Sequence, residues 1–304
     1  MSFLGLFFLI SKKLMNMKKL IRNIFLGLLF PAAGGAFAQD LPVKTETDTI
    51  FFEDFSGSSL DREKWNVMGT DFWVNNEQQI YVDTSATVYT VSGAEAKGVE
   101  NALVLKAHYS PNYINYRGND FDFISGRINT RDKVMFTYGT AAARMKLPEG
   151  AGYWPAFWAL GGGDWPATGE IDIMEYVGET DWIGVALHGP GYSGETPLVN
   201  KYFFPEGEDV TDWHVYSVDW TPEGFDFKVD GRLIYRVTKP MVENYGKWAF
   251  DNPKFLILNL ALGGAYPYKT NGVEEPYNGL PASTVELIKE GKAEVLVDWV
   301  LITE

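Results

Sequence analysis

The chain has no cysteine among its 304 residues. That excludes a disulfide framework, a thiolate metal site, a cysteine nucleophile and the lipid-bearing cysteine of a lipoprotein. Basic residues are scarce, 26 Lys and Arg against 40 Asp and Glu, for a formal net charge of −14. Five of those bases (Lys12, Lys13, Lys18, Lys19 and Arg22) crowd into the first 38 residues, where there is no acid, so the rest of the chain is more acidic still. Nucleic acid, anionic lipid and heavily sulfated polymers are poor partners for such a chain, because neutralising phosphate or sulfate needs clustered Lys and Arg. Histidine is limited to His108, His188 and His214, with no His-x-x-x-His spacing, so no transition-metal centre is expected. Long apolar runs are also missing: none approaches the ~20 residues that span a bilayer.

What the chain has in quantity is core and turn material. Apolar residues make up 46% and aromatic residues 15%, enough to build a large core, which excludes disorder. Its 31 glycines, set against an average usage of roughly 7%, point to many tight turns and an all-β chain. The first 38 residues read as an address. Lys18-Lys19-Leu20-Ile21-Arg22 follows Met17, residues 24–30 are apolar, and Ala36-Phe37-Ala38 precedes Gln39. A charged start, a short apolar middle and a small-residue cleavage site form the order of a secretory signal peptide. We expect export, to the periplasm or outside the cell, with cleavage near Ala38. A second apolar run at residues 3–10 marks Met17 as an alternative start.

Residues 39–304 show no linker, composition break or internal repeat, so a single domain is expected there. Phe225, Phe227 and Val229 alternate with Asp226, Lys228 and Asp230, the period of a half-buried strand. Asp230-Gly231 then supplies a hairpin turn. Residues 255–260 are almost unbroken apolar, short enough for a strand buried on both faces. One short helix is expected near residues 283–291, with Ser283 and Glu286 at capping-box spacing and Gly291 as its stop. Many strands and one small helix around a single core predict a β-sandwich.

The chemistry concentrates in Glu170-Ile171-Asp172-Ile173-Met174-Glu175. On a two-residue period Glu170, Asp172 and Met174 share a face and Glu175 points the other way. A β-bulge at Ile173-Met174 would add the one residue that returns Glu175 to the other acids. At ~3.3 Å per residue the two glutamates start well over 10 Å apart, so strand curvature and long side chains must close the gap to the ~5–5.5 Å of a retaining glycosidase. A run of acids is by itself usually a solvated face. Here the neighbours are Tyr153, Trp154, Trp158, Trp165, Tyr176, Trp182, His188 and Tyr192, with a flexible Gly161-Gly162-Gly163. Flat rings beside carboxylates suit a groove for sugar rings and their hydroxyls, although some of the rings must be core.

Gly169-Glu170-Ile171-Asp172-Ile173-Met174-Glu175-Tyr176 resembles the signature of glycoside hydrolase family 16, in its bulge-containing branch with laminarinases. Asn75-Asn76-Glu77-Gln78-Gln79-Ile80-Tyr81, Ser125-Gly126-Arg127-Ile128, Trp154-Pro155-Ala156-Phe157-Trp158, Leu187-His188-Gly189-Pro190-Gly191-Tyr192 and Trp213-His214-Val215-Tyr216 follow in family order. The resemblance implies a concanavalin A-like jelly-roll β-sandwich with a concave substrate cleft, cleaving a β-glucan internally and needing no cofactor. It implies Glu170 as nucleophile, Glu175 as general acid/base and Asp172 as the acid that supports the nucleophile. Asn75 and Glu77 would reach sugar hydroxyls, Trp154 and Trp158 would line the cleft, Trp165 would stack on a donor-side glucose, and His188 would bond near the acids. Asn259 is either cleft-facing or a satisfied buried amide. Relatives often hold a structural Ca²⁺ on the convex side, for which Glu53 and Asp298 are the candidate donors. The expected substrate is laminarin-type β-1,3-glucan or mixed-linkage β-1,3-1,4-glucan, acted on by a monomer. The alternatives are a non-catalytic β-glucan-binding module, a transglycosylase, and a relative acting on agarose-type galactans.

Overall fold

The computed structural model describes residues 49–70 and 72–304. The signal-like segment lies outside them. Strands alternating apolar and polar residues can bury one face each, and two such faces meeting make a sandwich. The back sheet runs in the order Arg232–Thr238, Gly224–Val229, His214–Thr221, Gly139–Lys146, Glu294–Thr303, Asn101–Lys106 and Val88–Ser92, with Thr49–Glu53 also paired to Glu294–Thr303. The front sheet runs Val199–Phe203, Trp182–His188, Glu170–Glu175, Tyr153–Gly161, Lys254–Leu262, Arg127–Asn129 and Asn66–Val67. Within these two sheets every pairing is antiparallel. Spatial neighbours are often distant in sequence, as in the pairing of Tyr153–Gly161 with Lys254–Leu262, and the result is a jelly-roll sandwich.

Between the sheets, Phe157, Ile171, Ile173, Met174 and Leu258 from the front pack with Ala141, Ala143, Met145, Val218 and Val300 from the back. The outer face of the back sheet carries ion pairs, Arg144 with Asp298 at 2.8 Å and Arg236 with Asp226 at 2.5 Å, beside a small apolar cluster of Ala142, Trp299 and Leu301. A small third sheet, His108–Ile114, Asp120–Ser125 and Gln79–Tyr81, flanks the sandwich and contains a parallel pair.

The expected local elements form. Phe225, Phe227 and Val229 are buried, and Asp230 (φ 50°) and Gly231 (φ 75°) make a hairpin turn with both central residues left-handed. Every residue of Lys254–Leu262 is buried, because this strand sits inside the front sheet. The helix spans Ala282–Lys289, but its start differs from the capping-box expectation. Pro281 is the N-cap, no side chain caps the helix, and Ser283 lies within the first turn. Proline fixes the entry dihedral without any side-chain bond. At the other end Gly291 (φ 76°) donates its N–H to Ile288, and Lys292 donates to Leu287. Two further short helices, Lys239–Glu243 and Ala265–Asn271, were not expected; both are too short for a helical period to show.

Candidate active site

One residue out of step decides where the acids point. Trp158 pairs with Asp172 and Phe157 with Met174, leaving Ile173 without a partner on that side. On the other side Asp172 pairs with Ala186 and Glu175 with Gly184, so Ile173 and Met174 together oppose Val185. That is the bulge expected at Ile173-Met174. Ile171, Ile173 and Met174 all enter the core, whereas Glu170, Asp172 and Glu175 take the opposite face. The partners across from Asp172 and Glu175 are small, Ala186 and Gly184, which leaves room for carboxylates and for the Tyr266 hydroxyl over Gly184.

The turn that delivers Glu170 is tightly held. Gly169 has φ 72°, and a Cβ there would lie 2.4 Å from the Ala249 carbonyl oxygen. Beneath the turn the buried Lys254 ammonium donates to Thr168 O at 2.7 Å, Ala249 O at 3.3 Å and Asn252 Oδ1 at 3.1 Å. Burial pushes its pKa down to about 8. Gly169→Ala is expected to destabilise the fold by more than about 1 kcal/mol, since both the dihedral and the space are wrong for a side chain; a denaturant titration measures it.

Each glutamate accepts a hydrogen bond from an indole. Trp165 Nε1 donates to Glu170 Oε2 at 3.0 Å, and Trp154 Nε1 donates to Glu175 Oε1 at 3.0 Å. Trp165 is 52% exposed, so it is a surface ring anchored to an acid, and Trp154 packs edge-on against Tyr266. His188 sits directly across from Glu170 in the sheet, with its Nε2 3.9 Å from Glu170 Oε1 and 3.2 Å from Asp172 Oδ2.

Burial dominates the electrostatics. Glu170 is pushed up to about 8 by desolvation first and then by Asp172, against which His188 and the Trp165 bond pull down. Desolvation and Asp172 also push Glu175 up to about 8, with the Trp154 bond opposing. Asp172, the most enclosed, is raised to about 8 by desolvation alone. Three carboxyls in one field lose their protons as a set. The two indole bonds act on different members of it, so Trp165→Phe should raise the Glu170 pKa and Trp154→Phe that of Glu175. If Glu170 works ionised and Glu175 protonated, the first variant moves the acidic limb of a pH–rate profile upward and the second moves the basic limb upward.

Beside the acids runs a chain of hydrogen bonds. Trp158 Nε1 donates to Asn259 Oδ1 at 2.8 Å, and Asn259 Nδ2 donates to Tyr81 OH at 3.3 Å. Tyr81 OH in turn donates to Glu77 Oε2 at 3.1 Å, which also accepts from Gln79 Nε2 at 2.7 Å. Asn259 is therefore a satisfied buried amide, and Trp158 is half-buried on the acid face. Glu77 is buried, while Asn75 next to it is exposed and lies 3.5 Å from Glu77 Oε1. Sequence reasoning gave no role to Arg127 and Tyr81, quoted only within family motifs, nor to Tyr266 and Lys254; the Arg127 guanidinium lies against Phe72 (4.3 Å), Trp158 (4.9 Å) and Tyr81 (5.6 Å). An arginine within the buried strand Arg127–Asn129 was the one signal on offer.

Of the calcium candidates, Glu53 accepts from the Phe55 amide and stands 3.1 Å from Lys64, with its Oε2 buried, and Asp298 pairs with Arg144 at 2.8 Å, so each carboxylate faces a side-chain cation. His108 bonds the Ala86 carbonyl, and His214 has both ring nitrogens engaged, by Asp230 and by the Asp209 carbonyl.

This fold, with three acids gathered among indoles on the open face of one sheet, is that of the β-sandwich glycoside hydrolases. The family model "Glycosyl hydrolases family 16" matches residues 68–275, and the chain belongs to that family. It is 33% identical over 268 residues to a beta-glucanase of Rhodothermus marinus, covering 83% of this chain and 89% of the relative. It is 34% identical over 260 residues to glucan endo-1,3-beta-glucosidase A1 of Niallia circulans, covering 75% of this chain but 36% of that longer protein. Among solved structures, the endo-beta-1,3-glucanase from Pyrococcus furiosus superposes with a TM-score of 0.71 at 34% identity, covering 84% of this chain and 94% of the other.

Proposed function

We propose that this chain is an exported endo-glycosidase that cleaves β-1,3- or mixed-linkage β-1,3-1,4-glucan with retention. The observation that carries the reading is the bulge at Ile173-Met174, which turns Glu175 to the face of Glu170 and Asp172. Glu170 attacks the anomeric carbon while Glu175 gives its proton to the departing oxygen. Glu175 then deprotonates the water that releases the glycosyl-enzyme. This division needs Glu170 ionised and Glu175 protonated at the start. Two features favour it: His188 stands 3.9 Å from Glu170, and desolvation, joined by Asp172 once that group ionises, holds the proton on Glu175. Export rests on the charged, apolar and small-residue order of the first 38 residues.

The test is a product analysis. Laminarin, barley glucan and agarose are each incubated with the protein, and early products are sized and read for anomeric configuration. Internal cuts in a glucan with β-anomeric products at early times support the reading. Exclusive cleavage of agarose, or α-anomers, would overturn the substrate or the stereochemistry respectively.

A further inference from the structure

Glu170, Asp172 and His188 each offer one donor atom, and the three atoms lie within 4.8 Å of one another. His188 Nε2 is 3.2 Å from Asp172 Oδ2 and 3.9 Å from Glu170 Oε1. Donors at ~2.0–2.2 Å from a tetrahedral zinc ion stand about 3.3–3.6 Å apart, so a small ion can be held here once the widest separation, within 4.8 Å, closes by about 1 Å. A second, independent observation points the same way. Asp172 Oδ2, on a side chain only 5% exposed, has no hydrogen-bond partner and is aimed at His188. A buried carboxylate oxygen without a donor is costly, and a cation would satisfy it.

We propose that Glu170, Asp172 and His188 form a binding site for a first-row divalent transition ion, represented by Zn²⁺, that occupies the cleft in competition with glucan. One imidazole and two carboxylates suit Zn²⁺, whereas Ca²⁺ and Mg²⁺ want six or more oxygens. Three protein ligands leave the fourth position for water. The chain has no cysteine to compete for the ion, and His214 is saturated by its own partners. Sequence spacing missed the set because its members come from two strands: His188 meets the acids only through the sheet register.

That the ion blocks hydrolysis rests on the catalytic placement of Glu170; that it binds does not. The experiment titrates Zn²⁺ calorimetrically into tag-free, chelator-treated protein and measures laminarin hydrolysis at several fixed Zn²⁺ concentrations. We expect one ion per chain, no comparable binding of Mg²⁺, and an apparent KM that rises with Zn²⁺ while kcat holds. His188→Ala should weaken Zn²⁺ by at least about tenfold, the lower end of what losing even a group behind a ligand costs. His108→Ala should bind as the parent does. Thermal melts check that both variants fold, and His188→Gln replaces His188→Ala if the latter does not. Absence of stoichiometric binding, or binding indifferent to His188, overturns the site. Binding that needs His188 yet leaves laminarin hydrolysis unchanged overturns the competition and counts against Glu170 as nucleophile, while the product analysis above judges the glucanase reading separately.

Discussion

Glu175→Gln is expected to lower kcat on laminarin by about 10²–10⁴-fold, the usual worth of a positioned general acid and base. Glu170→Gln should cost at least as much, since without a nucleophile no glycosyl-enzyme forms. The two losses differ in kind, and that difference is the stronger test. A substrate whose leaving group needs no proton, such as an aryl glycoside of an acidic phenol, can still glycosylate the Glu175 variant. It should then show a burst of phenol followed by slow turnover, because the deprotonation of water has lost its base. The Glu170 variant should show neither burst nor turnover. Both variants should keep affinity for laminarin oligosaccharides, as the indole rings remain. Equal bursts in the two would mean that the roles are reversed or shared.

Asp172→Asn is expected to stabilise the protein at pH 8 and to do little at pH 4. In the unfolded chain Asp172 loses its proton near pH 4, whereas burial holds the proton in the fold to about pH 8. Between those values the folded state binds more protons than the unfolded one, so stability is fully present below pH 4 and declines as pH rises through the window. Each unit of difference is worth about 1.4 kcal/mol. Glu170 and Glu175 share the same field, so the shifts are not additive, and the recoverable stability is on the order of a few kcal/mol. For a domain of this size that is a rise in Tm of several degrees, at about 2–4 °C per kcal/mol. Calorimetric melts of parent and variant from pH 4 to pH 8 measure it. A gap that stays constant across that range would show that Asp172 is ionised and compensated in the fold. The same substitution should slow hydrolysis, because Asp172, once ionised, adds to the desolvation that raises both glutamates, and the asparagine cannot. Stability is given up where chemistry needs buried acids.

The route from sequence to site is clearest in the strand Glu170–Glu175. Three acids spaced at 170, 172 and 175 cannot share a face on a regular two-residue period, and the apolar residues at 171, 173 and 174 cannot all face water. Only an extra residue at Ile173-Met174 satisfies both demands, which is why a bulge could be read from parity. The hairpin at Asp230-Gly231 and the buried strand through Leu258 were legible for the same reason: each is a local pattern with a local cause. The capping box at Ser283 was a local pattern too, yet Pro281 reached the N-cap first.

What the sequence determined alone is therefore a few strands with a local pattern, the face each acid takes, and the family to which the chain belongs. Tertiary structure decided which atoms meet. The bonds from Trp165 to Glu170 and from Trp154 to Glu175, the approach of His188 to Asp172, and the path from Trp158 through Asn259 and Tyr81 to Glu77 all cross between separate segments. So do the bonds that set Lys254 under the turn before Glu170 and the salt bridges of Glu53 with Lys64 and of Asp298 with Arg144. Periodicity constrains a side chain's direction along its own strand, but a contact between segments depends on sheet order and register, which are fixed only when the whole core packs.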